Sequence, residues 1–176
     1  MPKTSNSYLR AVADGLCDWG VEAFVYVPSS HAAPVIRDLE ARGVRAVLAN
    51  REEEAVGIAG GMRLTGVRAA IVMQDNGFGN ALTALATFTV AYHIGLPVVA
   101  NSRGGVGEYN SMIQAISGAV PRLLEALGIP VHELSHRDPV DTWRSTTSAA
   151  ATLATIQHRP VVTLFDALDP AIAGAK

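Results

Sequence analysis

The chain has 176 residues, 49% of them apolar and 17% charged, and a formal net charge of −2. That is length enough for one domain with a proper core, too apolar a composition for disorder, and no basic excess of the kind nucleic-acid binding needs. A single cysteine, Cys17, excludes an intrachain disulfide or a cysteine metal cage, and with no apolar run of membrane-spanning length and no apolar signal region after Met1-Pro2-Lys3, a cytoplasmic protein is expected.

A first helix is expected from residue 5 or 6 to 19, with Leu9, Val12, Ala13, Leu16 and Cys17 on one face and Gly20 as its stop. Residues 23–27 read as a strand, Pro28-Ser29-Ser30 as a turn, and residues 31–42 as a helix closed by Gly43. The apolar run 45–49 reads as a buried strand. It leads into Asn50-Arg51-Glu52-Glu53-Glu54-Ala55-Val56-Gly57-Ile58-Ala59-Gly60-Gly61, expected to be helical over 51–64 with three carboxylates in its first turn. Asn50 suits an N-cap, and Glu53 stands at capping-box spacing from it. Gly60 and Gly61 each cost about 1 kcal/mol relative to Ala, which implies the close approach of another group.

Residues 69–73 form a third strand, apolar throughout and so buried on both faces. The turn-rich stretch Gln74-Asp75-Asn76-Gly77-Phe78-Gly79-Asn80 opens a helix running to about 93. A strand over 96–101 precedes a glycine-rich loop, 102–110. Then follow a helix over 112–127, a strand over 129–134, a helix over 139–157 and a last strand over 160–165, with a frayed tail at 171–176. Strands and helices alternate throughout. The expected fold class is therefore α/β, one three-layer αβα domain over 1–176, with a mostly parallel sheet of about six strands covered on both faces.

Ligands of such sheets bind beyond the carboxyl ends of the strands. Four loops there carry chemistry. The Glu52-Glu53-Glu54 turn offers a carboxylate, although acids in a first turn also simply complement the helix dipole. Pro28-Ser29-Ser30-His31 combines helix-start amides, hydroxyls and an imidazole suited to an anion, unless Ser30 is only an N-cap and His31 only a surface residue. Gly77-Phe78-Gly79 invites comparison with a dinucleotide fingerprint, but Leu82 replaces the third glycine and the loop follows the third strand. Arg103, within Asn101-Ser102-Arg103-Gly104-Gly105-Val106-Gly107-Glu108, suits an anion clamp or a surface ion pair with Glu108. His132-Glu133-Leu134-Ser135-His136 matches the zinc-protease motif literally. It falls on a strand, where positions four apart lie about 13 Å from each other, and no metal site is expected in this chain.

The stretch Arg51-Glu52-Glu53-Glu54-Ala55-Val56-Gly57-Ile58-Ala59-Gly60-Gly61 resembles the glutamate-bearing helix of the pyrimidine-binding domain in thiamine diphosphate enzymes. It is most similar to that of the two-subunit sulfopyruvate and phosphonopyruvate decarboxylases. The loop around Gly77 and the segment from Arg103 through Gln114 to Pro130 extend the resemblance over nearly the whole chain. The resemblance implies that Glu52 bonds N1′ of the cofactor's aminopyrimidine and so activates the thiazolium carbon toward a 2-oxo acid. It implies cofactor contacts from Asn76, Gly77 and Asn80. It implies substrate contacts from Ser29, Ser30, His31 and Arg103, with His31 also a proton-transfer candidate; Ser29 stands where the family often has Gly. The family also needs a Gly-Asp-Gly segment that holds Mg2+ and the diphosphate, and this chain lacks one. The expectation is therefore an alpha subunit, inactive alone, completed by a beta subunit in a hetero-oligomer. A thiamine-dependent carboligase subunit or a non-catalytic α/β binding subunit are the alternatives.

Overall fold

The computed structural model describes residues 5–105 and 108–166; the expected tail at 171–176 lies outside the described residues. In chain order the elements are α1 Ser5–Trp19, β1 Ala23–Tyr26, α2 Ala33–Ala41, β2 Arg45–Leu48, α3 Glu52–Leu64, β3 Ala69–Gln74, α4 Phe78–Ala84, β4 Pro97–Ser102, α5 Ser111–Ala126, β5 Val131–Leu134, α6 Val140–Gln157 and β6 Val161–Asp166. A 3-10 turn, Asp75–Gly77, precedes α4, and a π-helical stretch, Leu85–Val90, extends it. The six strands form one parallel sheet in the order β2-β1-β3-β4-β6-β5.

Successive strand residues point to opposite faces, and both faces are packed. Phe24, Ala70, Val72 and Phe165 join α1, α2 and Trp143 of α6 in one core. Val25, Ile71, Met73 and Leu164 join Ala55, Val56 and Ala59 of α3, with Phe78, Val120 and Leu124, in the other. Gly20 ends α1 in the left-handed region at φ +84°, a conformation that an L side chain resists.

Three expectations need correction. β2 is not buried: Arg45, Ala46 and Leu48 are exposed, Leu48 at 56%. The strand lies at the sheet edge, and an apolar run of four residues does not reveal whether one neighbour or two will flank it. Asn50 and Glu53 form no capping box. Arg51 is the N-cap of α3 without a side-chain cap bond, and the Asn50 N–H donates to Glu54 Oε2 at 2.8 Å. The helix starts one residue late, so the reciprocal carboxylate moves from Glu53 to Glu54, and Glu53 instead accepts from Arg51 at 2.6 Å. The two helix glycines also separate. A Cβ on Gly60 would meet Phe88 Cε1 at 2.5 Å, whereas one on Gly61 would meet nothing within 4 Å among the described residues.

Candidate functional site

The carboxyl ends of β2, β1, β3 and β4 are neighbours in the sheet, and the loops leaving them bring together residues widely separated in sequence. Glu52 opens α3 immediately beyond β2. Its carboxylate is half-buried, and Oε2 accepts a hydrogen bond from Asn80 Nδ2 of α4 at 3.0 Å. The backbone at Gly77 presses on the same group, since a Cβ there would stand 2.5 Å from both Cδ and Oε1 of Glu52. Only glycine permits that approach. Oε1 has no hydrogen-bond partner among the described residues, so only one carboxylate oxygen is held by a hydrogen bond.

The polar floor beside Glu52 follows from strand register. Gln74, last in β3, is the cross-strand partner of Asn101 in β4, so their side chains stand next to each other. Ser29, from the loop after β1, lies 3.0 Å from Asn101 Oδ1 and 3.4 Å from Gln74 Oε1. Its single hydroxyl hydrogen serves one of these acceptors at a time. Gln74 Nε2 donates to Asn76 Oδ1 at 2.7 Å, which carries the row to the residue before Gly77. Asn101 is fully buried, and its Nδ2 has no partner among the described residues.

Asp75 braces this floor. It is 1% exposed and accepts from the Arg103 backbone N–H and from Ser117 Oγ, both at 2.8 Å. Burial pushes its carboxyl pKa up, and the two hydrogen bonds oppose that shift. Neither Asp75 nor Asn101 stood out as a site residue in the sequence. A polar residue closing an apolar strand is the only signal they give.

Arg103 is not at the surface. Its side chain is buried, and its guanidinium grips Glu108 through Nε and Nη2, both at 2.6 Å. That fork, helped by the Asn110 and Gly104 N–H groups, holds the Glu108 carboxyl down to about 2 despite burial. The guanidinium also lies over the Tyr109 ring at 5.4 Å. Its Nη1 is 3.3 Å from His31 Nδ1. A guanidinium can only donate, so this contact makes Nδ1 the acceptor and places the neutral ring's proton on Nε2. Ser30 is exposed, and its hydroxyl lies 3.3 Å from the same Nδ1. Ser30 is not a cap: the N-cap of α2 is Ala32, which makes no side-chain cap bond.

Glu52, Gly77 and Asn80 therefore form one cluster. Ser29 and Asn76 end a polar row leading to it, and Ser30, His31 and Arg103 form a second group. His132 lies on β5 and His136 in the turn beyond it, so the zinc-protease match has no helix to sit on. Among the described residues no group of three or more His, Cys, Asp or Glu is placed to hold a metal ion. No helix among them is long and apolar enough to cross a membrane. A half-held carboxylate of this kind can accept a hydrogen bond from a ligand N–H.

The family described as thiamine pyrophosphate enzyme, N-terminal TPP binding domain, matches residues 7–119. The sulfopyruvate decarboxylase alpha subunit of Methanothermobacter thermautotrophicus is 33% identical over 122 residues, covering 69% of this chain and 74% of that one. Its counterpart in Methanococcus maripaludis is 28% identical over 160 residues, covering 90% and 94%. Among solved structures, a 2-oxoglutarate:ferredoxin oxidoreductase from Magnetococcus marinus shares the fold at a TM-score of 0.62 and 22% identity. That match covers 94% of this chain and 29% of the larger one.

Proposed function

Because the chain belongs to the thiamine pyrophosphate enzymes, and within them to the sulfopyruvate decarboxylase alpha-subunit family, we propose that it binds the pyrimidine end of thiamine diphosphate and acts on an anionic three-carbon 2-oxo acid. It is a subunit of a thiamine diphosphate-dependent decarboxylase. The proposed substrate is 3-sulfopyruvate or 3-phosphonopyruvate, and the proposed products are the aldehyde and carbon dioxide. The diphosphate and its Mg2+ are held by a separate beta subunit of a cytoplasmic hetero-oligomer.

The observation that carries this reading is the half-held Glu52 carboxylate. When bound, thiamine diphosphate supplies the nucleophilic carbon and the electron sink for loss of carbon dioxide. This chain supplies the acid–base control. Glu52 would hold the pyrimidine by accepting a hydrogen bond from its N1′ nitrogen, with the carboxylate steadied through Oε2 by Asn80. Gly77 lets the loop lie against Glu52, and Asn76, bonded to Gln74, would be a further cofactor-side residue. On the substrate side, Ser29 and Ser30 offer hydroxyls to the carboxylate. His31, held through Nδ1 by Arg103, is the substrate-side candidate for hydrogen bonding and proton transfer. Arg103 serves by orienting His31, because Glu108 occupies its fork.

The test is carbon dioxide release from sulfopyruvate and phosphonopyruvate by the assembled complex, with and without thiamine diphosphate and Mg2+. Glu52→Gln lowers kcat by ~100-fold or more if the carboxylate does acid–base work. Unchanged turnover by an intact Glu52→Gln complex would remove Glu52 from the mechanism.

A further inference from the structure

A cavity of about 350 Å3 opens beside the carboxyl end of β1, on the α2 face of the sheet. Its wall is apolar where Tyr26, Ala33 and Ile36 meet. Ser29 and Ser30 add hydroxyls, and Arg37 adds a guanidinium. We infer that this cavity receives the second anion of the substrate, with Arg37 as its charge-recognising residue and therefore a determinant of specificity. The inference rests on the decarboxylase reading given above.

Arg37 is available in a way that Arg103 is not. Arg103 is buried, with both prongs of its fork on Glu108. Arg37 is exposed on α2 and makes no hydrogen bond or ion pair among the described residues. Of the acids beside it on α2, Asp38 is engaged elsewhere, whereas Glu40 is exposed and makes no ion pair among the described residues. Arg42 takes Asp38 at 2.5 Å, one helical turn back, and Asp14 of α1 at 2.6 Å. The first turn of α2 contains no acidic residue to compete for an incoming anion. A guanidinium fork matches the spacing of sulfonate or phosphonate oxygens.

The cavity is joined to the Glu52 centre. Ser29 belongs to the cavity wall and also to the row that runs through Gln74 to Asn76, next to the glycine that covers Glu52. An acid with anions at both ends would turn one of them toward Arg37 in this cavity. The same arrangement disfavours acids with apolar tails, which would leave Arg37 unpaired beside a dry wall.

The experiment compares two acids on the assembled complex, sulfopyruvate with its two anions and pyruvate with one. Arg37 is exposed, and Arg37→Gln removes no hydrogen bond or ion pair made among the described residues. It is expected to lower kcat/KM for sulfopyruvate by ~10-fold or more, chiefly through KM, and to change pyruvate turnover less than twofold. Arg37→Lys is expected to recover part of the loss. Calorimetric titration of the same complexes with sulfoacetate, an unreactive carboxylate–sulfonate, gives a second readout that needs no turnover. Wild type binds it and Arg37→Gln binds it ~10-fold more weakly. An unchanged sulfopyruvate-to-pyruvate ratio, or equal sulfoacetate affinity in the two proteins, overturns the role of Arg37. Absence of carbon dioxide release from either acid by the wild-type complex overturns the decarboxylase reading instead, and the sulfoacetate titration still decides whether Arg37 binds the anion.

Discussion

Glu52 is held by two unlike contacts, a hydrogen bond from Asn80 and the bare backbone at Gly77. The second predicts its own test. Gly77→Ala places a methyl against the carboxylate, at an overpacking cost of about 1–3 kcal/mol, and Glu52 must turn to relieve it. We expect thiamine diphosphate affinity of the complex to fall ~10-fold or more, measured by titration of the apo complex. The Arg103–Glu108 pair predicts a pH dependence. The folded-state pKa of Glu108, about 2, lies below its ordinary 4.5, so its stabilisation is complete above 4.5 and is lost as pH falls toward 2. Glu108→Gln should therefore melt well below wild type at pH 7, and the gap should narrow by pH 3. Asp75 acts in the opposite sense: burial raises its pKa, so its ionised form costs stability that falling pH relieves. Comparing wild type with Glu108→Gln cancels that effect. Of these residues, Glu52 was legible in the sequence through the resemblance of the stretch that bears it, because three carboxylates in a first helical turn fit a dipole-complementing role equally well. Asp75 was not, because its partners, the Arg103 N–H and Ser117, lie 28 and 42 residues away.

The helices show how far local rules reach. The limits of α3 follow from apolar spacing, and its start was misread by one residue because Asn50 is a better intrinsic cap than Arg51. The chain instead satisfies the Asn50 N–H with Glu54. The paired glycines of α3 make a prediction at this scale. Gly60→Ala should lower the stability of the full chain by about 1–3 kcal/mol, because Phe88 closes that side of the helix. Gly61→Ala should raise it by up to about 1 kcal/mol, because nothing among the described residues closes the other and alanine is the better helix former. Paired urea melts check both. Opposite signs for adjacent glycines would show that the close approach inferred from sequence belongs to one of them only.

For the molecule as a whole, the proposed reading gives this chain the Glu52 side of a cofactor site and gives a partner chain the diphosphate side. We expect the isolated chain to bind thiamine diphosphate at least ~10-fold more weakly than the assembled complex, because the pyrimidine contacts alone leave the diphosphate without a counter-charge. Calorimetry on both forms decides this, and equal affinities would mean that this chain carries the anchors itself. The edge strand β2 leaves Leu48 exposed next to the start of α3. Solvent accessibility there, followed by hydrogen exchange before and after assembly, reports whether the partner covers that edge.

The sequence by itself determined the alternation of strands and helices, the parallel sheet, the helix that bears Glu52 and the family to which the chain belongs. All of these rest on periodicity and on motifs a few residues long, which neighbours along the chain suffice to encode. The tertiary structure alone decided which strand became an edge. It also set the register that stands Gln74 beside Asn101, the closure of Arg103 by Glu108, and the position of Arg37 on a cavity wall. Those depend on where side chains distant in sequence come to rest, as with Ser29 and Asn101, 72 residues apart. Packing and strand order fix such contacts, and no local pattern carries them.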